Sequence, residues 1–216
     1  MPKKYSTLLF DMDGTIANTD ELIVQSFLTL YSLYRKGEPT PREQIYYFSG
    51  PPIRETLKKE FPDLDIQFIV DEFHRISWDY YPKYTTSYED CKKVLLKLKE
   101  YGYKLGIVTN KIHRTTEYVL KLLDLENIFD VVIGFDDVLV GKPNKEGIYK
   151  AMNVLGETNP KKVLYIGDNE SDLITANNAE VDCMLVTWGP RELDPNLKPT
   201  YKVNKYKKLL EALTHE

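Results

Sequence analysis

The spacing of apolar residues changes character along this chain. A short apolar run, Thr7 to Phe10, stops abruptly at Asp11, and in a buried strand successive side chains point to opposite faces. From Thr19 to Tyr34 the apolar positions Leu22, Ile23, Phe27, Leu30, Tyr31 and Tyr34 recur at i, i+3/i+4. That spacing predicts an amphipathic helix, ended by Gly37, Pro39 and Pro41. Further helices are predicted over 42–48 and 53–61, on either side of the Ser49-Gly50-Pro51-Pro52 break, and over 65–81, closed by Pro82. No strand is expected between Thr19 and Tyr84.

After Tyr84 short apolar runs alternate with helical patterns. Strands are predicted over 104–109, 131–134, 162–167 and 183–187, with helices over 89–101, 114–123, 145–155, 171–178 and 204–213. Such alternation specifies an α/β fold, a doubly wound parallel sheet with helices on both faces. The all-helical stretch interrupts it after the first strand. Residues 17–85 are therefore expected to form an inserted all-helical cap domain, tethered near Ala17 and Thr85 to a core built from 1–16 and 86–216. A cap so placed covers the end of the first strand, and ligands of open parallel sheets bind at the carboxyl ends of strands.

Bulk properties narrow the partners. At 216 residues, with 42% hydrophobic and 29% charged, the chain has room for a core and the make-up of a soluble globular protein. A net charge of -4 and a pI near 5.6 provide no basic excess for a nucleic acid. A small anionic substrate would need local positive charge instead. Cys91 and Cys183 show no CxxC or Cys/His spacing, so neither a disulfide framework nor a zinc site is expected and a reducing compartment fits. The apolar run behind Lys3 and Lys4 is too short for a signal peptide, and no segment approaches the roughly 18 apolar residues of a membrane helix. The expected location is cytoplasmic, away from membranes.

The candidate chemistry begins where the first strand ends. Asp11 and Asp13, one residue apart, leave it on the same side. Two carboxylates that close raise each other's pKa unless something neutralises them, which argues for a cation. A hard ion such as Mg2+ takes oxygen ligands and keeps several waters, so one or two carboxylates and a phosphate oxygen suffice. Gly14 allows a sharp turn, and Thr15 can offer its hydroxyl to the ion or to a phosphate. A capped strand-to-turn junction is the plainer alternative.

Three more polar groups stand at predicted strand ends. Thr109-Asn110 suits a phosphate at a helix start, or simply a helix cap. Lys142, its backbone restricted by Pro143, is a fixed cation or a solvated surface lysine. Asp168 and Asp172, four residues apart, join the site or serve as helix cap and first-turn acid. Taken together, so many polar groups at one sheet rim exceed what capping alone would place there. The set supports phosphoryl transfer: Asp11 attacks phosphorus, Asp13 protonates the leaving oxygen and then activates water, and Mg2+ with Lys142 stabilises the developing charge.

With these residues in place the sequence resembles the haloacid dehalogenase (HAD) superfamily of aspartate-nucleophile phosphohydrolases, over essentially the whole chain. Asp11-Met12-Asp13-Gly14-Thr15 resembles its first motif, Thr109 its second, Lys142 its third, and Gly167-Asp168 with Asp172 its fourth. The resemblance implies a HAD-like Rossmannoid core, Asp11 as nucleophile, and Asp13 as acid/base that also lends its carbonyl to Mg2+. It implies Thr109 and Asn110 as phosphate binders, Lys142 as charge neutraliser, Asp168 as a metal ligand and Asp172 as its support. The helical insert resembles the family's C1 cap, with Gly50 in a loop entering the site. Arg54 is a candidate for reading a distal anion, or a solvated helix residue.

Within the family, Thr19-Asp20-Glu21-Leu22-Ile23, Ser26-Phe27, Phe48-Ser49-Gly50-Pro51 and Gly167-Asp168-Asn169 are most similar to a pyrophosphatase branch beside the phosphoglycolate phosphatases. That likeness implies pyrophosphate or phosphoglycolate as the small phosphorylated metabolite. Thr86-Ser87-Tyr88 stands where such phosphatases often carry a Tyr-Pro-Gly turn, so the linker geometry departs from the pattern. Asp13 argues against dehalogenases and phosphonate-cleaving members, which lack a carboxylate there. A β-phosphoglucomutase-like mutase keeps both aspartates and stays as an alternative, as does a non-catalytic phosphate-binding protein. A response-regulator receiver is disfavoured, because its phosphorylated aspartate ends a middle strand and no helical insertion follows the first.

Overall fold

The structure is a computed structural model that describes residues 3–35 and 37–214. Positions 1–2 and 215–216 of the expected core, and position 36 of the expected cap, lie outside the described residues. In chain order the elements are β1 (Thr7–Phe10), β2 (Ala17–Asn18), α1 (Asp20–Tyr34), α2 (Arg42–Ile45), α3 (Ile53–Glu60), α4 (Ile66–Tyr84), β3 (Thr86–Ser87) and α5 (Cys91–Glu100). They continue as β4 (Lys104–Val108), α6 (His113–Leu122), β5 (Val131–Ile133), α7 (Glu146–Leu155), β6 (Val163–Gly167), α8 (Glu170–Asn178), β7 (Asp182–Val186), β8 (Tyr201–Val203) and α9 (Tyr206–Thr214).

Strand alternation builds the two layers. Leu8 and Phe10 of β1 join Leu105, Ile107, Leu164, Ile166 and Met184 on one face, where α5, α6 and α9 add Leu95, Val119 and Leu209. Leu9 points the other way, with Val108, Val163, Tyr165 and Cys183, against Ile148 and Ala151 of α7 and Leu173 of α8. Each face must be covered because all four residues of β1 are buried. Helices therefore lie on both sides. Both cysteines are free and buried, and burial pushes the Cys91 thiol up to about 12.

The six strands are ordered β5-β4-β1-β6-β7-β8, and every neighbouring pair is parallel. From β1 the chain moves outward through β4 and β5, then returns to place β6 on the other side of β1 and continues through β7 to β8. The order reverses between β1 and β6. The carboxyl ends of these two strands frame the crevice in which open α/β sheets bind ligands.

Helices α1 to α4 are threaded between β2 and β3, which pair antiparallel as Ala17↔Ser87 and Asn18↔Thr86. The linker that departs from the family turn is thus a two-residue ladder, too short to leave a periodic signal. The helical insert has an aromatic core in which the Phe27 ring lies 4.7 Å from Phe48 and 5.7 Å from Phe73, while Tyr31 stacks on Phe61 at 5.5 Å. Asp65 caps α4, accepting from Gln67 N at 3.0 Å and Phe68 N at 2.9 Å.

Two expectations need correcting. Pro82 does not close α4, which runs on to Tyr84. Its fixed φ suits a helix, and in the last turn only the Trp78 carbonyl loses a donor, on a residue that is itself exposed. The helix expected over 42–48 splits into α2 and a 3-10 turn, Tyr46–Phe48. The edge strand β8, paired with β7 through Met184↔Tyr201, was not expected. Among the described residues no helix is long and apolar enough to cross a membrane.

Candidate active site

The sheet delivers Asp11 in register. Its N–H donates to the Ile166 carbonyl at 2.8 Å, continuing the β1–β6 ladder one residue past the strand. The chain must then turn at once. The Met12 carbonyl accepts from Ile16 N at 2.9 Å and Ala17 N at 3.0 Å, and Gly14 takes φ +85. A Cβ on Gly14 would lie 2.2 Å from both Asp168 Oδ2 and Arg191 Nη2, so this position requires glycine for space as well as for dihedral.

Asp168 follows β6 directly across the crevice. Among the described residues Asp11, Asp168 and Asp172 form a buried group whose ligand oxygens all lie within 4.8 Å of one another. Lys142 reaches it from the loop after β5, with Nζ 2.8 Å from Asp11 Oδ1 and 2.6 Å from Asp172 Oδ1. The contact to Asp11 falls outside hydrogen-bonding geometry, which leaves Oδ1 a buried oxygen with no directional partner. Burial pushes the Asp11 carboxyl up to about 6 against the pull of Lys142, with Asp172 and Asp13 adding to the rise. Burial likewise raises Asp168 to about 7, opposed by Arg191. A site so crowded with buried carboxylates, three of them offering oxygens within 4.8 Å of one another against a single lysine, fits a hard divalent cation with oxygen ligands.

The capping alternatives are settled by who caps. Asn169, not Asp168, is the N-cap of α8: its side chain accepts from Ser171 N at 3.2 Å, and Asp172 Oδ2 accepts from Asn169 N at 2.9 Å. Asp172 is thus a capping-box acid through one oxygen and a partner of Lys142 and Tyr165 through the other. Neither Thr109 nor Asn110 caps α6, whose N-cap is Ile112. Lys142 is 5% exposed, which excludes the solvated reading.

Thr109 is buried at the end of β4, its N–H bonded to Ile133 O at 3.0 Å and its Oγ1 accepting from Lys111 N at 3.3 Å. The Asn110 amide holds loops together. It donates to Gly50 O at 3.0 Å and Lys142 O at 3.2 Å and accepts from Lys142 N at 2.8 Å. Gly50, at φ +111, packs so closely on Asn169 that a Cβ would meet its Nδ2 at 2.5 Å. Arg54 is exposed at the rim and donates to Gln67 Oε1 at 2.9 Å. Thr15 donates to Asp168 Oδ1 at 3.2 Å, so its hydroxyl serves a carboxylate and not an ion or phosphate directly.

The carboxylate of Asp13 lies apart from the acidic group. Lys111 Nζ donates to both its oxygens, at 3.1 and 2.9 Å, and Thr19 Oγ1 adds a bond at 2.8 Å. Burial works against the Lys111 charge, but Asp13 and Tyr81 outweigh it and hold its pKa above the usual lysine value. Lys111 escaped the sequence reading, although it directly follows Thr109-Asn110 and a third polar residue in that loop was the available signal. Arg191 escaped too. It is buried in the loop after β7, with Nε 2.9 Å from Asp168 Oδ2 and Nη1 2.9 Å from Asp20 Oδ1.

Between these loops and the helical insert lies a cavity of about 240 Å³ that reaches Asp11 and Asp13. Thr109, Asn110 and Lys111 line its core side, while Phe48, Ile53, Val70 and Phe73 line the side of the insert.

A parallel sheet with acidic strand ends meeting a buried lysine at the point of order reversal defines an α/β phosphoryl-transfer enzyme. The sequence matches the family Haloacid dehalogenase-like hydrolase over residues 8–186, and the chain belongs to that family as one of its phosphatases. It is 36% identical over 215 residues, 98% of this chain and 97% of that protein, to the pyrophosphatase PpaX of Bacillus cereus, and 35% identical over the same length to that of Bacillus anthracis. A haloacid dehalogenase-like family hydrolase of Streptococcus pneumoniae superposes with a TM-score of 0.83 at 22% identity, covering 97% of this chain and 98% of its own. CbbY of Rhodobacter sphaeroides, solved in complex with phosphate, superposes with a TM-score of 0.82 at 18% identity over 97% and 99%. These two share the fold.

Proposed function

We propose that the protein is a Mg2+-dependent phosphohydrolase working through an aspartyl phosphate on Asp11, with a small phosphorylated metabolite as substrate and pyrophosphate the first candidate. The observation that carries this reading is the convergence of Asp11, Asp168, Asp172 and Lys142 at the reversal of strand order, with Asp11 on the wall of the cavity. There the Asp11 carboxylate can meet phosphorus while Lys142 balances its charge. Its attack forms the acyl phosphate and expels the leaving group.

Lys142 balances the resting carboxylates and then faces charge on the phosphoryl oxygens. Thr109 accepts through its oxygen from Lys111 N, which leaves its O–H to donate to the phosphoryl group. Asn110 secures the Lys142 loop. Asp13, held by Lys111 and Thr19 as an acceptor, is the base for the water that releases phosphate. As an acid it must first trade the Lys111 contact for the leaving oxygen, so leaving groups that need little protonation are favoured. Mg2+ at Asp11, Asp168 and Asp172, with the Asp13 carbonyl, supplies charge for the phosphoryl oxygens. Residues 17–85 serve as the cap, joined at the β2–β3 ladder, and bring Gly50 and Arg54 to the cavity.

Pyrophosphate ranks first because relatives matched over their full length are named pyrophosphatases. The cavity wall favours a second reading of the substrate. Ile53, Val70 and Phe73 offer no cation to an anionic leaving group and Lys111 is already paired with Asp13, which leaves Arg54, bonded only to the neutral Gln67 amide at the exposed rim, as the cation on that side. Such a wall suits a phosphomonoester with a hydrocarbon body. The test is hydrolysis of p-nitrophenyl phosphate with Mg2+ and with a chelator, followed by pyrophosphate, phosphoglycolate, sugar phosphates and aryl phosphates. Turnover only with Mg2+, highest on pyrophosphate, is expected; highest turnover on aryl phosphates selects the second reading. No turnover on any of them sinks the hydrolase proposal.

A further inference from the structure

We propose that Arg191 is a positioning residue that couples cation binding at Asp168 to the seating of the helical insert over the site. This rests on the reading that the ion binds at Asp168. Arg191 lies beyond the segment 8–186 that matches the family, in a loop rich in turn formers, Trp188-Gly189-Pro190-Arg191. Its guanidinium is nevertheless buried, 7% exposed, and every side of it is engaged. Nε and Nη2 both donate to Asp168 Oδ2, while Nη1 donates to Asp20 Oδ1 at 2.9 Å and to the Tyr46 carbonyl at 3.0 Å. One group thus grips a core carboxylate with one edge and two separate points of the insert with the other: the first residue of α1 and the 3-10 turn after α2.

The surroundings hold it there. Trp188 Nε1 donates to Gly14 O at 3.0 Å and its ring stacks on Tyr206 at 4.4 Å, while the Tyr206 hydroxyl donates to Thr15 O at 2.7 Å. Gly14 clears the space, since any side chain there would run into the guanidinium. A buried charge held only for stability gains little over an apolar replacement. A buried charge shared between a candidate ligand carboxylate and a separate inserted element has a different consequence: its hold on the carboxylate depends on how that element is seated.

With the insert seated, Asp20 and the Tyr46 carbonyl share the positive charge, and Asp168 keeps more of its own negative charge for a cation. With the insert displaced, Arg191 has only Asp168 and competes with the cation for it. Seating therefore strengthens cation binding, and by reciprocity cation binding favours seating.

Asp20 is neither in the acidic group nor on the cavity wall, so Asp20→Asn separates coupling from ligation. Titration calorimetry of the full chain with Mg2+ is expected to show about five- to tenfold weaker binding in Asp20→Asn. In Arg191→Gln the same Asp20 change should have no further effect. Hydrogen exchange of the parent protein is expected to slow at the start of α1 and at 46–50 when Mg2+ is added, a readout that needs no variant to fold. Unchanged Mg2+ affinity in a folded Asp20→Asn, or exchange in those segments indifferent to Mg2+, overturns the coupling while leaving the phosphatase reading intact. A parent protein that binds no Mg2+ overturns both the coupling and the metal dependence of the proposed function, and turnover that a chelator does not change identifies that case.

Discussion

Asp11→Asn is expected to lower turnover of every hydrolysed substrate by at least about 10^4-fold while leaving the fold in place. The amide cannot attack phosphorus, and loss of a nucleophile costs more than loss of any group that merely assists it. The fold survives because the substitution keeps the shape and removes a charge that burial disfavours, as the rise of the Asp11 carboxyl to about 6 shows. Lys142 retains Asp172 at 2.6 Å. Initial rates on p-nitrophenyl phosphate, together with a thermal melt without metal, check both halves. A melting temperature far below that of the parent protein would mean that Asp11 supports the structure rather than the reaction.

Lys142→Met should differ from it in costing stability as well as activity. It removes the cation held between Asp11 and Asp172 and leaves both carboxylates buried without it. Breaking a buried ion pair from one side typically costs about 3–5 kcal/mol, readable as a lower urea midpoint. Turnover should fall by about 10^2–10^3-fold through loss of charge stabilisation on the phosphoryl oxygens. Adding Asp172→Asn to Lys142→Met relieves one stranded carboxylate and should restore part of the stability but none of the activity. Stability unchanged in Lys142→Met would show that the ion pairs are not what holds this loop.

Much of this arrangement was legible because it is local. The run Thr7 to Phe10 reads as a buried strand from its own residues, and Asp11 follows from where that run ends. The alternation after Tyr84 likewise specifies parallel strands, since each apolar run is long enough to register. Three residues of β8 on the sheet edge, two of them only partly buried, carry no such pattern. The β2–β3 ladder is shorter still. Pro82 misled because its prohibition applies to helix interiors, and it stands in the last turn of α4.

The site divides in the same way. Asp11, Thr109 and Asp168 directly follow strands, so the ends of apolar runs point to them, whereas Lys142 lies nine residues past β5, beyond a 3-10 turn, and it took the family motif to single it out. Arg191 sits twenty-three residues past Asp168 in a turn-rich loop, and its contacts to Asp168, Asp20 and Tyr46 exist only once the chain has folded. Thr15 shows the limit from the other side: the motif placed it correctly at the rim but not its hydrogen-bond partner, Asp168.

The central claim is that phosphorus is carried by Asp11, and trapping tests it most directly. Asp13→Asn should slow hydrolysis of the phosphoenzyme, and p-nitrophenyl phosphate, whose leaving group needs no acid, should still load it. Acid quench during turnover, reduction with borohydride and peptide mapping should convert Asp11 to homoserine in the Thr7 to Thr15 peptide. Label on any other residue, or continued turnover with Asp11 unmodified under quenching that preserves acyl phosphates, contradicts it.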